Sequence, residues 1–196
     1  MKPHPSPAIS VDTLQQLVAA AQAGESEAFG ELYDLLYDRV YMYTFRRSYN
    51  SSAAQDITAN TFYQMLTHLT KFRWHDEARF YGWVFRIAMH ELSRYYREDN
   101  RYQTYEDWLS VADTIIDEHD SQHQTAEQAE QVIALRRSIA DLPVKQREVV
   151  ELYYFAGATH EVIAKTLRIR PGTARVRLHR ALEALGQSLK GEGYAY

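Results

Sequence analysis

Residues 160–182 read HEVIAKTLRIRPGTARVRLHRAL and carry six lysines or arginines against one acid, Glu161, in a chain of 196 residues whose formal net charge is −4. Advancing about 100° per residue from Ala174, the side chains of Ala174, Leu178, Ala181, Leu182 and Leu185 fall within about fifty degrees of one direction. This is a helix with one buried stripe. Its opposite face carries Gly172, Thr173, Val176, His179 and Arg180, with Arg175 and Arg177 on the flanks. Pro171 suits the first helical position, where a missing N–H has no partner to lose. Upstream, Ile163, Ala164 and Leu167 mark the inner side of a shorter helix, in which the small Ala164 permits close approach. Two short helices joined by about three residues, the second basic on its outer face, describe a helix-turn-helix.

Charge outside this stretch is laid out in blocks. Residues 1–97 hold 10 basic and 10 acidic side chains, residues 98–130 hold 1 and 10, and residues 131–196 hold 11 and 6. An acidic segment therefore separates a neutral part from a basic one. The acidic segment is rich in Gln, Asp and Thr, with brief apolar pairs at Trp108-Leu109 and Ile115-Ile116, a composition that suits a tether better than a core. A merely solvated linker and a segment that occupies a basic channel on a partner stay equally open.

Helical periodicity dominates the neutral part, and no convincing alternating strand occurs. The pattern predicts helices over residues 11–23, closed by Gly24, and 26–49, with Phe29, Leu32, Tyr33, Leu36, Val40 and Tyr43 inward. Asn50-Ser51-Ser52 reads as a turn and cap. A third helix, over residues 54–69, turns Ile57, Phe62, Met65, Leu66 and Leu69 inward, and a fourth spans residues 78–97 with Phe80, Val84, Ile87 and Ala88 on one face. After the acidic segment, Val132, Leu135, Ile139 and Leu142 form a further stripe, and helices follow over residues 143–156, 159–167 and 171–189. The fold class is all-α: two small helical domains joined by an acidic linker. The divisions are a flexible N-terminus (1–10), a first helical domain (11–97), the linker (98–130), a helix-turn-helix domain (131–190) and a short GEGYAY tail (191–196).

Exclusions narrow the function. Zero cysteines remove disulfides, thiolate metal sites and cysteine nucleophiles together, and suit a reducing compartment. No apolar run approaches the roughly 18 residues of a membrane span, and the prolines of MKPHPSPAIS stand where a signal peptide would be apolar, so no membrane insertion and a cytoplasmic location are expected. HEVIA at His160 and HELSR at His90 both lack the second histidine of a zinc-protease site. His119 and His123 have a ligand spacing but fall in the linker, so no metal site and no cofactor is assigned. No phosphate loop, nucleophile elbow or dinucleotide glycine pattern is present, and no enzyme activity is expected.

A basic outer face on one helix is usually a solvated surface. Here it coincides with a tight helix pair, an open helix N-terminus and Gly172, which lets backbone N–H groups approach a phosphate. The coincidence favours DNA. Arginine pairs guanine edges in the major groove, each good pair discriminating by about 1–3 kcal/mol, while other cations neutralise phosphates. In the first domain, Lys71, Phe72, Arg73, Trp74 and His75 mix cations with ring faces, and exposed rings stack on unpaired bases for about 1–3 kcal/mol each. Phe80 and Trp83 suit the domain core instead; for Trp74 and His75 the two readings balance.

These residues carry a family resemblance. Leu142-Pro143, Gln146-Arg147-Glu148-Val149, Leu152, Gly157, EVIAKTL from Glu161 and GTARVRLHRAL from Gly172 resemble region 4 of bacterial RNA polymerase sigma factors, above all the extracytoplasmic-function group of the sigma-seventy family. Gln55-Asp56-Ile57, Thr61-Phe62 and FRWHDEARFYGWVFRIA from Phe72 resemble region 2 of the same group. Two motifs in the right order are a specific match.

The resemblance implies a transcription initiation factor that binds core RNA polymerase and directs it to promoter DNA. It places Arg170, Gly172, Thr173, Arg175, Val176, Arg177, His179 and Arg180 at the minus-thirty-five element. It places Phe72, Arg73, Trp74, His75, Asp76 and Glu77 at the minus-ten element, and Asp56, Asn60 and Gln64 against the polymerase clamp. The linker would thread toward the RNA exit path, and an inhibitory anti-sigma protein is admitted as a further partner. The chain departs from the family pattern at Arg168, where glycine is common and a left-handed backbone would cost about 1 kcal/mol. It departs also at Val176, Asn60 and His90, where a small polar residue, an acid and an asparagine are frequent. The alternative is a conventional helix-turn-helix regulator whose first domain senses a ligand or dimerises.

Overall fold

The computed structural model describes residues 9–48, 50–98, 126–191 and 193–194. Among them are eight helices and no strand: α1 (Val11–Gln22), α2 (Ser26–Ser48), α3 (Ser51–Leu69), α4 (Glu77–Glu98), α5 (Ala126–Asp141), α6 (Val144–Tyr154), α7 (His160–Leu167) and α8 (Pro171–Gly191). Most of the readings on the acidic linker, including Trp108, Ile115, His119 and His123, lie outside the described residues, as do the first eight residues and half of the tail.

Short polar side chains set several helix starts. Ser10 accepts from Thr13 N at the start of α1, Asn50 from Ala53 N at the start of α3, and Thr159 from Val162 N at the start of α7. Ser51 and Ser52 are therefore the first helical residues of α3 rather than part of the preceding turn. Helix α5 begins at Ala126, inside the segment that composition assigned to the linker.

The first four helices close around Leu14, Leu32, Leu36, Tyr43, Ile57, Met65, Phe80 and Phe85, all at most 2% exposed. Three inward assignments fail. Leu66 is 52% exposed because it follows the buried Met65 by one residue, about 100° round the helix. Leu182 is 41% exposed because it lies at the outer edge of its stripe, whereas Ala174, Leu178, Ala181 and Leu185 are buried. Tyr33, also at a stripe edge, keeps 37% of its surface exposed while packing on Tyr37 and Phe62. On α5 the buried residues are Ala134 and Ser138, one position off the expected stripe, which is half-buried at Val132, Leu135 and Ile139; Leu142, just past the helix end, is buried as expected. Ser138 bonds Ser188 of α8 at 2.9 Å, so the small, satisfied side chains let α5 and α8 approach.

The two sets of helices pack together, α4 lying along α7 and α2 against α6. Arg39 of α2 lies 4.4 Å over the Tyr81 ring and donates to the carbonyls of Ala156 and Gly157, at 2.9 and 3.3 Å, just past the end of α6. Gly157 turns the chain there with φ 59°, a value that favours glycine.

Candidate nucleic-acid interface

The helix-turn-helix is α7, a three-residue turn and α8. The turn is made by Arg168, whose φ of 55° and ψ of 44° are left-handed, the strained conformation that a glycine would take without penalty. The amide of Ile169 donates to Ala164 O at 3.0 Å, closing the end of α7. Arg170 O then accepts from Thr173 N and Ala174 N, which starts α8 with Pro171 at its first position.

Helix α8 is held by its apolar side. Burying Leu178 and Leu185 contributes about 1.5–3 kcal/mol each, whereas His179 and Glu183, 3.2 Å apart on the exposed side, make only a surface contact. Packing thus fixes the helix and leaves its charges free for other work. Arg170, Gly172, Thr173, Arg175, Val176, His179 and Arg180 are exposed, and Arg177 is half-buried. Arg175, Arg177 and Arg180 pair with no acid among the described residues. A β-carbon on Gly172 would meet nothing within 4 Å, so the fold itself does not require glycine there.

The second group of sequence-derived residues forms the loop between α3 and α4. Phe72 packs on Trp83 and Phe80, with centroids at 4.8 and 5.7 Å, and Trp74 lies 6.0 Å from Phe80. Phe80 is fully buried, as expected, while Phe72, Trp74 and Trp83 are half-buried, so one side of each ring cluster reaches solvent. Arg73 and His75 are exposed and Glu77 is half-buried. Asp76 is already engaged: it accepts from Arg79 N at 2.6 Å as a cap for α4, and its other oxygen lies 3.6 Å from Lys165 Nζ of α7.

Sequence reasoning missed the residue that fixes this loop. Gln22, at the end of α1, donates from Nε2 to Leu69 O at 2.8 Å and to Phe72 O at 2.6 Å. A glutamine at a helix end gives no signal of such a role in sequence.

Between the loop and the helix-turn-helix lies a cleft of about 630 Å³ walled by Lys71, Arg73, Arg79, Arg86, Lys165 and Arg168, with Phe72 and Trp83 among its apolar surfaces. Burial first, and then the neighbouring charges of Arg168 and Arg79, lower the Arg86 guanidinium from its ordinary value. Such a cleft attracts phosphate.

Asp56 and Asn60 are exposed on α3 and Gln64 is half-buried. Tyr63, 65% exposed, projects between the directions of Asp56 and Leu66, so this polar row carries a ring and an apolar neighbour that the sequence pattern did not single out. No helix among the described residues is long and apolar enough to cross a membrane, and no cluster of potential metal ligands is present among them.

Comparison with known proteins agrees with this layout. Residues 32–102 match the family model of Sigma-70 region 2, and residues 133–185 match that of Sigma-70 region 4. The extracytoplasmic-function (ECF) RNA polymerase sigma factor BldN of Streptomyces coelicolor is 29% identical over 95% of this chain and 70% of its own length. The RNA polymerase sigma-H factor of Pseudomonas aeruginosa is 28% identical over 90% of this chain and 93% of its own. Among solved structures, CnrH in complex with the cytosolic domain of CnrY superposes with a TM-score of 0.64 at 20% identity, covering 89% of this chain and 96% of that one. The sigma factor RpoE of Bartonella quintana, in complex with the anti-sigma factor NepR, gives 0.58 at 20% identity over 83% and 96%. At that identity these two structures establish a shared fold.

Proposed function

Because this chain belongs to the sigma-70 family, in its extracytoplasmic-function group of RNA polymerase sigma factors, we propose that its two helical units divide promoter reading between the α3–α4 loop and helix α8. The chain is a transcription initiation factor that binds core RNA polymerase and directs it to promoters. Residues 11–97 act as the region 2 unit and residues 131–190 as the region 4 unit, joined by the acidic segment.

One observation carries the division of labour: Arg180 on the face of α8 opposite its buried stripe and Arg175 on the flank of that face stand exposed, with no acid partner among the described residues. From that face Thr173, Arg175, Arg177, His179 and Arg180 reach base edges of the minus-thirty-five element in the major groove, and Val176 meets a thymine methyl. The exposed N-terminus of α8 receives a backbone phosphate, with Gly172 keeping the approach open and Arg170 beside it. The region 2 loop acts after docking. Its cations draw in the strand, and the solvent sides of Phe72 and Trp74 stack a base that has left the duplex, with His75 at the rim. Asp56, Asn60 and Gln64, with Tyr63 among them, face the polymerase clamp.

The protein works by binding, without catalysis of its own, and in the cytoplasm, where polymerase and promoter are. An anti-sigma protein is a further partner under this reading; the Bartonella structure is of a sigma factor held by one. Run-off transcription with purified core polymerase over a pool of promoter fragments tests the proposal. Specific starts that depend on this protein are expected. Tight operator binding without polymerase, and no gain of starts, would instead identify an independent regulator. Trp74→Ala is expected to slow strand opening, followed by permanganate reactivity, more than it weakens initial docking.

A further inference from the structure

Helix α1 stands before residues 32–102, the stretch that matches Sigma-70 region 2, yet its last residue reaches into the α3–α4 loop. The row of Leu14, Val18 and Ala21 is buried in the first domain, and Gly24, with φ 97°, turns the chain away just after the helix ends. The half-buried Gln22 is thereby planted on a fixed base. Its side-chain amide spans the exit of α3, donating from Nε2 to Leu69 O at 2.8 Å and to Phe72 O at 2.6 Å. Both partners only accept, so the group that faces them is the NH2 and not the amide oxygen. Leu69 O also accepts from Phe72 N at 3.0 Å, and one amide thus braces both carbonyls of the turn that opens the loop.

The seven residues 70–76 that join α3 to α4 are tied at both ends. Gln22 holds the first end. Asp76 holds the last, accepting from Arg79 N at 2.6 Å. Phe72 lies on the held side with its ring 4.8 Å from Trp83, whereas Arg73 and His75, between the ties, are exposed. Arg86, which lines the cleft beside the loop, is committed elsewhere: it donates to the carbonyls of Lys165 and Thr166 on α7. A surface that tells one base from another must hold its groups to within about 0.5 Å, and does so through neighbours that lock the contacting residues. A loop released at its first tie would adjust to whichever base arrived.

We propose that Gln22 is a positioning residue that sets the base selectivity of the minus-ten reader: it touches no base itself, and by fixing the Phe72 carbonyl it denies the loop the freedom to accommodate a wrong one. This rests on the reading of the α3–α4 loop as that reader. The donor pair carries the effect. An ionised glutamate has nearly the same shape but offers only acceptors, and would turn an oxygen toward two carbonyl oxygens. Leucine offers neither donor nor acceptor. Lysine is donor-only and reaches at least as far. Fixing the turn in advance also spares the binding step the entropy of ordering it, so selectivity and speed of base capture come from the same two hydrogen bonds.

Competition binding of holoenzyme to promoter probes pre-melted over the minus-ten element tests this, with each of the four bases placed in turn at each unpaired position. The parent is expected to prefer one base at one position or more. Gln22→Leu and Gln22→Glu are each expected to cut that preference by about tenfold, the order of a single base mismatch, while Gln22→Lys keeps it. The charges introduced at position 22 do not mimic this result, because attraction or repulsion of phosphates moves all four probes alike. Hydrogen exchange of the free proteins gives a readout without DNA: amides of residues 70–75 are expected to exchange severalfold faster in Gln22→Leu and Gln22→Glu than in the parent or Gln22→Lys. Circular dichroism identifies a variant that fails to fold, and the other then decides. The inference is overturned if folded Gln22→Leu or Gln22→Glu keeps the parent's preference, if it weakens binding to all four bases equally, if loop exchange is unchanged, or if Gln22→Lys loses the preference as fully as they do. A parent that drives specific starts yet selects no base in the minus-ten element would instead overturn the reading of the loop itself.

Discussion

The carboxylate of Glu151 on α6 accepts a charged hydrogen bond from Arg47 on α2, 104 residues earlier in the chain, at 2.5 Å. Glu151 is 6% exposed, and burial raises its carboxyl above the ordinary value, with Arg47 opposing the rise. A buried pair of this kind adds little over an apolar substitute, but removing one partner leaves the other stranded. Arg47→Met is therefore expected to destabilise the folded chain by about 3 kcal/mol, and the double change Arg47→Met with Glu151→Leu to recover most of that loss. Urea titration of the two variants checks it, with non-additivity as the readout.

Arg168 holds a left-handed backbone that a glycine would adopt without strain. Arg168→Gly is expected to stabilise the chain by about 1 kcal/mol, a rise of roughly 2–4 °C in the unfolding midpoint for a protein of this size. Scanning calorimetry distinguishes this from a fall in stability, which would mean that the arginine's own contacts outweigh the strain.

Arg180→Ala and Arg175→Ala are expected to leave the unfolding midpoint unchanged, since both side chains are exposed. Where the arginine reads a guanine, the loss is about 1–3 kcal/mol and confined to one promoter position; where it meets a phosphate, the loss is uniform and the salt slope falls by about one. Competition binding with holoenzyme on single-position promoter variants, at two salt concentrations, separates these outcomes.

Gly172→Ala tests whether the N-terminus of α8 receives a phosphate. Nothing in the chain would touch the added methyl, and alanine favours the helix by up to about 1 kcal/mol, so stability should hold or rise. Promoter binding is nevertheless expected to weaken severalfold. Unchanged binding would show that no backbone approaches that point.

Tyr63→Ala removes a 65% exposed ring from the α3 row of Asp56, Asn60 and Gln64. Its expected effect on stability is within about 0.5 kcal/mol, while core polymerase binding, measured by fluorescence anisotropy, should weaken at least as much as in Asp56→Ala.

The helices were legible in the sequence because stripes recur every three or four residues and, at Asn50, a capping residue stands before the stripe; the caps at Ser10 and Thr159 appear only in the structure. Positions at stripe edges were not, since periodicity gives an angle and not a neighbour. Leu66 and Leu182 are apolar and close to the inward direction, yet no helix among the described residues covers them. The outward arginines of α8 and the ring-and-cation loop were found from residue type and spacing. The arginines that join the units were not. Arg39, Arg47 and Arg86 have the same appearance in sequence as any surface cation, and their acceptors are mostly backbone carbonyls, which every residue has. Gln22 was invisible for the same reason.

Two of the chain's three tryptophans, Trp74 and Trp83, belong to the single ring cluster that includes Phe72 and Phe80. Their indoles are half-buried, so their ultraviolet emission is sensitive to what occupies the open side of the cluster. The molecule thus carries its own optical reporter at the place where a flipped base would sit, and quenching of that light can time the melting of a promoter with no dye attached.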